Sequence, residues 1–122
     1  MKKHILFVDD EPNVLQGLQR MLRPMRHTWD MHFAGGGQEA LTLLEQTTFD
    51  VVVSDLRMPG MDGVQLLTHI TARYPHTVRI ILSGYADGEM MRRAVGLAHQ
   101  YLSKPCEAAR LQEIVTRICL LP

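Results

Sequence analysis

The chain has 122 residues, 46% of them hydrophobic and 21% charged. That length and balance suit one globular domain with a core of its own, without disulfide or metal staples. Thirteen basic and thirteen acidic side chains cancel, so no overall field draws the chain to nucleic acid or to an anionic membrane.

The first residues read MKKHILFVDDEP. Two lysines precede an apolar run confined to residues 5–8, too short for the hydrophobic region of a signal peptide. Nothing approaches the ~18 apolar residues of a membrane span. The run 5–8 predicts a first strand. Pro12 suits the first turn of a helix, and Val14, Leu15, Leu18, Met21 and Leu22 recur at helical spacing until Pro24 stops it. Trp29, Met31 and Phe33 alternate over Trp29–Ala34, a second strand, which Gly35, Gly36 and Gly37 break. Ala40, Leu41 and Leu44 predict a short helix. Val51–Ser54 is a third strand, and Val64, Leu67 and Ile70 form a helical stripe as far as Tyr74-Pro75. Residues 78–82 make a fourth strand, followed by a stripe of Met91, Ala94, Val95 and Ala98. Residues 100–102 are a short fifth strand ended by Lys104-Pro105, and Leu111, Ile114, Val115 and Ile118 mark the last helix.

Five alternating βα units predict an α/β fold, a five-stranded parallel sheet with helices on both faces. The first, third and fourth strands are apolar nearly throughout, as buried parallel strands are. In such sheets the ligand site lies beyond the carboxyl ends of the strands. The residues just after each apolar run are Asp9 and Asp10, Asp55, Ser83 and Lys104. If the first and third strands are neighbours, three carboxylates converge and need a cation. All-oxygen ligation suits a hard ion such as Mg²⁺, with Mn²⁺ as a substitute. Each acid alone has a plainer explanation: Asp9 or Asp10 as a helix cap, Asp55 as a turn residue. Together with a hydroxyl and an ammonium on the same rim they suit an anionic group, most naturally phosphoryl. Pro105 fixes its own φ and restricts Lys104 to extended conformations.

The stretches FVDDEP (7–12), VVVSDLRMPGMDG (51–63), IILSGYAD (80–87) and YLSKPC (101–106) resemble, in order, the receiver domain of two-component response regulators. The resemblance covers the whole chain as one domain, residues 1–122, either alone or at the start of a longer protein. It implies strand order 2-1-3-4-5. It implies that Asp55 is the phosphoacceptor, taking its phosphoryl group from a sensor histidine kinase or a phosphotransfer protein, with Lys104 and Ser83 assisting. Asp10, Asp55 and the Arg57 backbone carbonyl would ligate Mg²⁺, with Asp9 acting through a water. Ser83 and Tyr101 would form the switch, and Arg57 and Tyr85 would tune dephosphorylation. A face built from the fourth helix, fifth strand and fifth helix, with Met90, Met91, Arg92 and Leu97, would address an output domain, a downstream protein or a second phosphorylated copy. SGYAD with YLSKPC looks most like receivers attached to HD-type output domains. A competing expectation is a Mg²⁺-dependent phosphatase with an Asp nucleophile, but Asp9 and Asp10 are adjacent rather than two apart. A degenerate receiver acting only as a binding module would lack one of the site residues, and none is missing.

Three glycines at 35–37 replace a commoner Asn-Gly and predict a mobile loop. The segment from Ser83 to Lys104 is about one residue short, which touches the end of the fourth helix. Cys106 and Cys119, 13 apart, form neither a metal motif nor a disulfide framework, and suggest a reduced, cytoplasmic protein. Cys106 is expected to be a small buried residue. The six histidines (4, 27, 32, 69, 76 and 99) show no metal spacing and are expected to be surface or core residues.

Overall fold

The computed structural model describes residues 2–84 and 88–120. Five strands alternate with five helices: β1 (Lys3–Val8), α1 (Pro12–Met21), β2 (Trp29–Ala34), α2 (Gly37–Gln46), β3 (Val51–Ser54), α3 (Gly63–Arg73), β4 (Val78–Ser83), α4 (Gly88–Val95), β5 (Gln100–Ser103) and α5 (Ala108–Cys119). A 3₁₀ turn at Arg23–Met25 holds Pro24 and closes α1. The strands form one parallel sheet in the order β2-β1-β3-β4-β5, as expected.

Alternation of side chains along β1, β3 and β4 sends odd and even positions to opposite faces. Leu6, Val8, Val52 and Ile81 pack with Ala40, Leu44, Leu67, Ile70 and Ala94 on one side. Ile5, Phe7, Val51, Val53, Ile80 and Leu82 pack with Leu18, Leu111, Ile114 and Val115 on the other. So α2, α3 and α4 cover one face, and α1 and α5 the other. Being covered twice explains the unbroken apolar runs 5–8, 51–53 and 80–82 in these strands.

Three local expectations change. Val95 is 67% exposed, and α4 ends there, so Ala98 lies beyond the helix. Gly37 is not loop but the buried first residue of α2. Cys106 is only half-buried.

Two devices shape the approach to β3's end. Gly60 takes φ +74° in the Pro59-Gly60 turn, a left-handed conformation that other residues rarely adopt. Asp62 then caps α3: its carboxylate accepts from the Gln65 amide while the Gln65 side chain accepts from the Asp62 amide. This reciprocal box pairs two donors at the helix start.

Candidate functional site

β1 and β3 are neighbours, and their ends bring the acids together. Asp9, Asp10 and Asp55 each place a carboxylate oxygen within 4.8 Å of the others. Asp9 is 3% exposed and Asp55 7%, while Asp10 is half-buried. Main-chain bonds fix the first and third: Asp9 N–H donates to Ala34 O at 3.1 Å, and Asp55 N–H to Val8 O at 3.0 Å. Neither Asp9 nor Asp10 caps α1, whose N-cap is Glu11 without a side-chain bond. The capping explanation therefore fails for both.

Lys104, carried in just past β5, donates its ammonium to Asp9 Oδ2 at 2.5 Å and to Asp55 Oδ2 at 3.0 Å. Its backbone N–H bonds Ser83 O at 3.1 Å, and the Lys104–Pro105 peptide is cis. Burial pulls the Lys104 pKa down, but the hydrogen bonds and charges of Asp9 and Asp55 outweigh it and hold the ammonium above its ordinary value. Ser83, fully buried at the end of β4, donates to Asp55 Oδ1 at 2.9 Å. The Leu56 amide donates to the same oxygen at 2.7 Å. Asp9 Oδ1 accepts from the Glu11 amide at 3.0 Å. The Asp10 carboxylate makes no hydrogen bond among the described residues.

Asp10 and Arg57 line one open cleft of about 510 Å³, with Met58, Pro59, Gly60, Asp62 and Met90. Tyr101 lies on β5, 36% exposed, its hydroxyl 3.5 Å from Ser83 O. Tyr85 lies outside the described residues. On α4, Met90 and Met91 are half-buried against the core, as is Leu97 beyond it, while Arg92 is exposed and paired with Glu89. The half-buried Cys106 thiol has its pKa pushed up by burial.

Three carboxylates against one ammonium leave a formal charge of −2 at a half-open, all-oxygen site. Like charges this close repel, and a cation placed among them relieves the repulsion. The donor set fits a hard divalent ion.

Sequence reasoning missed three features. Gly63 abuts the Asp55 main chain, although it stands in the DG that ends the motif. Arg79 is a buried cation inside β4. His4, Asp30 and His32 form a second group of ligating side chains; its signal was the alternation of Asp30 and His32 along β2, not a spacing between histidines.

The sequence profile of the response regulator receiver domain matches residues 5–116. Response regulator protein FleR of Pseudomonas aeruginosa is 35% identical over 98% of this chain, which spans 25% of FleR. The chain thus spans less than half the length of curated relatives that it matches. The signal receiver domain of an HD domain-containing protein from Pseudomonas fluorescens superposes with a TM-score of 0.91 at 36% identity, covering 98% of this chain and 95% of that one. Response regulator protein TrrA from Thermotoga maritima, in complex with Mg²⁺-BeF, gives 0.83 at 28% identity, covering 95% and 98%. Among the described residues no helix is long and apolar enough to cross a membrane. Profile, relatives and fold agree: the chain belongs to the response regulator receiver domain family.

Proposed function

We propose that residues 1–122 act as one phosphoacceptor domain in which Asp55 takes a phosphoryl group from the phosphohistidine of a sensor kinase or phosphotransfer protein. The carrying observation is the Lys104 ammonium shared between Asp9 and Asp55 at 2.5 and 3.0 Å, with Ser83 on the other oxygen of Asp55. Asp55 Oδ1 already accepts two hydrogen bonds, from Leu56 and Ser83. Oδ2 accepts one, from Lys104, and so keeps a lone pair for attack. As the P–O bond to Oδ2 forms, the P–N bond to the donor imidazole breaks and its electron pair stays with the ring. Nucleophilic catalysis by a carboxylate has this form. Lys104, now close to the transferred oxygens, would balance their charge, and the Ser83 hydroxyl would turn from the carboxylate to one of them.

Asp10, Asp55 and the Arg57 carbonyl would hold Mg²⁺, which supplies charge neutralisation for the phosphoryl oxygens. Asp10 suits direct ligation because its carboxylate has no other partner among the described residues. Asp9 suits an outer role through water, because both its oxygens are already bonded. The Mg²⁺-BeF bound to the related TrrA supports this choice of ion.

Tyr101, whose hydroxyl reaches toward the Ser83 carbonyl, is the proposed reporter of the change. Through it the surface of α4, β5 and α5 would address an output domain, a downstream protein or a second copy. The similarity to the receiver of an HD domain-containing protein supports an HD-type output. Arg57, exposed on the cleft, and Tyr85 are proposed to slow water's access to the phosphoryl group.

The test is incubation with Mg²⁺ and acetyl phosphate followed by intact mass. One added phosphoryl group, absent in Asp55→Asn and after chelation, supports the proposal. Turnover of phosphate esters without an adduct would sink it.

A further inference from the structure

His4 on β1 and Asp30 on β2 are direct register partners, and His32 stands one alternation further along β2. All three side chains therefore share one face of the sheet's edge. His4 Nδ1 lies 3.2 Å from Asp30 Oδ2, and His32 Nε2 lies 3.6 Å from Asp30 Oδ1. One donor atom from each residue falls within 4.8 Å of the others.

These contacts are poor hydrogen bonds. His4 Nδ1 is buried and has no hydrogen-bond partner among the described residues. The His32 distance is beyond hydrogen-bond range. A buried ring nitrogen that faces a carboxylate at 3.2 Å without a hydrogen bond to it is placed to serve as a ligand atom when a metal ion takes the space between. Donors held by one tetrahedral ion at ~2.0–2.1 Å stand about 3.3 Å from each other, close to the separation of His4 Nδ1 from Asp30 Oδ2, while His32 Nε2 faces the other oxygen of the same carboxylate.

The surroundings fix the ligands. Phe49 meets both imidazoles edge-on, with centroids at 6.5 Å from His4 and 5.3 Å from His32. The His4 main chain is tied on both sides to Asp50, its N–H donating to Asp50 Oδ2 and its carbonyl accepting from the Asp50 amide, each at 2.8 Å. All three side chains remain 35–47% exposed, so an ion can enter and a water can complete its shell.

We infer that His4, Asp30 and His32 form a second metal site, for Zn²⁺ or a similar borderline divalent ion, that clamps edge strand β2 to β1. Two imidazoles and one carboxylate favour such an ion over Mg²⁺, whose all-oxygen preference directs it to the acid pocket. The two sites are separate. His4 and Asp9 are five residues apart along an extended strand, about 16 Å.

The experiment is Zn²⁺ titration of the tag-free chain by calorimetry, with Co²⁺ absorption as the reporter of ligand geometry. One ion per chain is expected, with visible Co²⁺ bands of a four-coordinate site and a higher melting temperature. Affinity should fall by about 100-fold or more in Asp30→Asn and in His32→Asn, and stay unchanged in Asp10→Asn. Circular dichroism checks that each variant is folded. In the wild-type chain, Zn²⁺ should shift the imidazole NMR signals of His4 and His32 and leave those of His27, His69, His76 and His99. No binding, binding that survives both β2 variants, or binding lost in Asp10→Asn would each overturn the inference.

Discussion

Gly63 rests its bare α-carbon against the main chain of Asp55. A β-carbon there would lie 2.2 Å from the Asp55 carbonyl oxygen and 2.7 Å from Leu56 Cα, and the Gly63 amide bonds Leu56 O at 2.8 Å. The obstacle is backbone, which cannot swing aside as a flexible side chain would. Gly63→Ala should therefore cost about 1–3 kcal/mol, read as a lower urea midpoint. It should also slow acetyl-phosphate labelling, because the strain falls on the residue that carries Asp55.

Lys104 is the only cation bonded to Asp9 and Asp55 among the described residues. Lys104→Met leaves two buried carboxylates facing each other. Breaking such a pair from one side costs about 3 kcal/mol. The loss should appear in full in EDTA and shrink when Mg²⁺ is added, by more than Mg²⁺ stabilises the wild type. Equal stabilisation of both chains in thermal melts would count against this coupling.

The acid pocket was legible because of where runs end. A side chain that follows a buried parallel strand must emerge at the sheet's rim, so Asp9, Asp10, Asp55, Ser83 and Lys104 could be placed from four short apolar runs. Residues whose role depends on what lands on them were not legible. Gly63 looks like any turn glycine until α3 docks on β3. Arg79 interrupts an apolar run and reads as noise. His4, Asp30 and His32 are joined by strand register, which no spacing along the chain reveals. Val95 continues a helical stripe in sequence, but α4 ends on it and the core does not reach it.

Arg79 is the charged residue that β4 buries, and it is bound by carbonyls. Its Nε donates to Leu97 O at 2.7 Å and its Nη1 to Thr77 O at 2.9 Å. Arg79→Met keeps the bulk and strands those acceptors, at a cost of about 1–3 kcal/mol. Amide hydrogen exchange at His99 and Gln100 should quicken, since Leu97 anchors the link between α4 and β5.

His99 shares this anchor. Its Nδ1 accepts the Arg79 amide at 3.0 Å, and its own N–H returns to Arg79 O at 2.8 Å. Burial first, and then the Arg79 charge, lower its pKa from the usual histidine value, although its bond to the Arg79 backbone counts the other way. The acceptor role itself requires an unprotonated Nδ1. The unfolded chain thus binds this proton more readily. The His99 contribution is present above the unfolded pKa of ~6.5 and fades as pH falls toward the lower folded value. The stability gap between wild type and His99→Ala, from urea curves, should narrow between pH 7.5 and pH 5; a constant gap would reject the assignment.

The contact between Lys104 and Asp9 joins residues 95 positions apart. One partner follows the first strand and the other follows the last. Contacts of such separation form late and slowly. A nascent chain leaving the ribosome therefore shows both partner acids long before it owns the ammonium that draws them together. The ion pair of the acid pocket can form only after the last strand has been made, so the pocket is among the last parts of the fold to be completed.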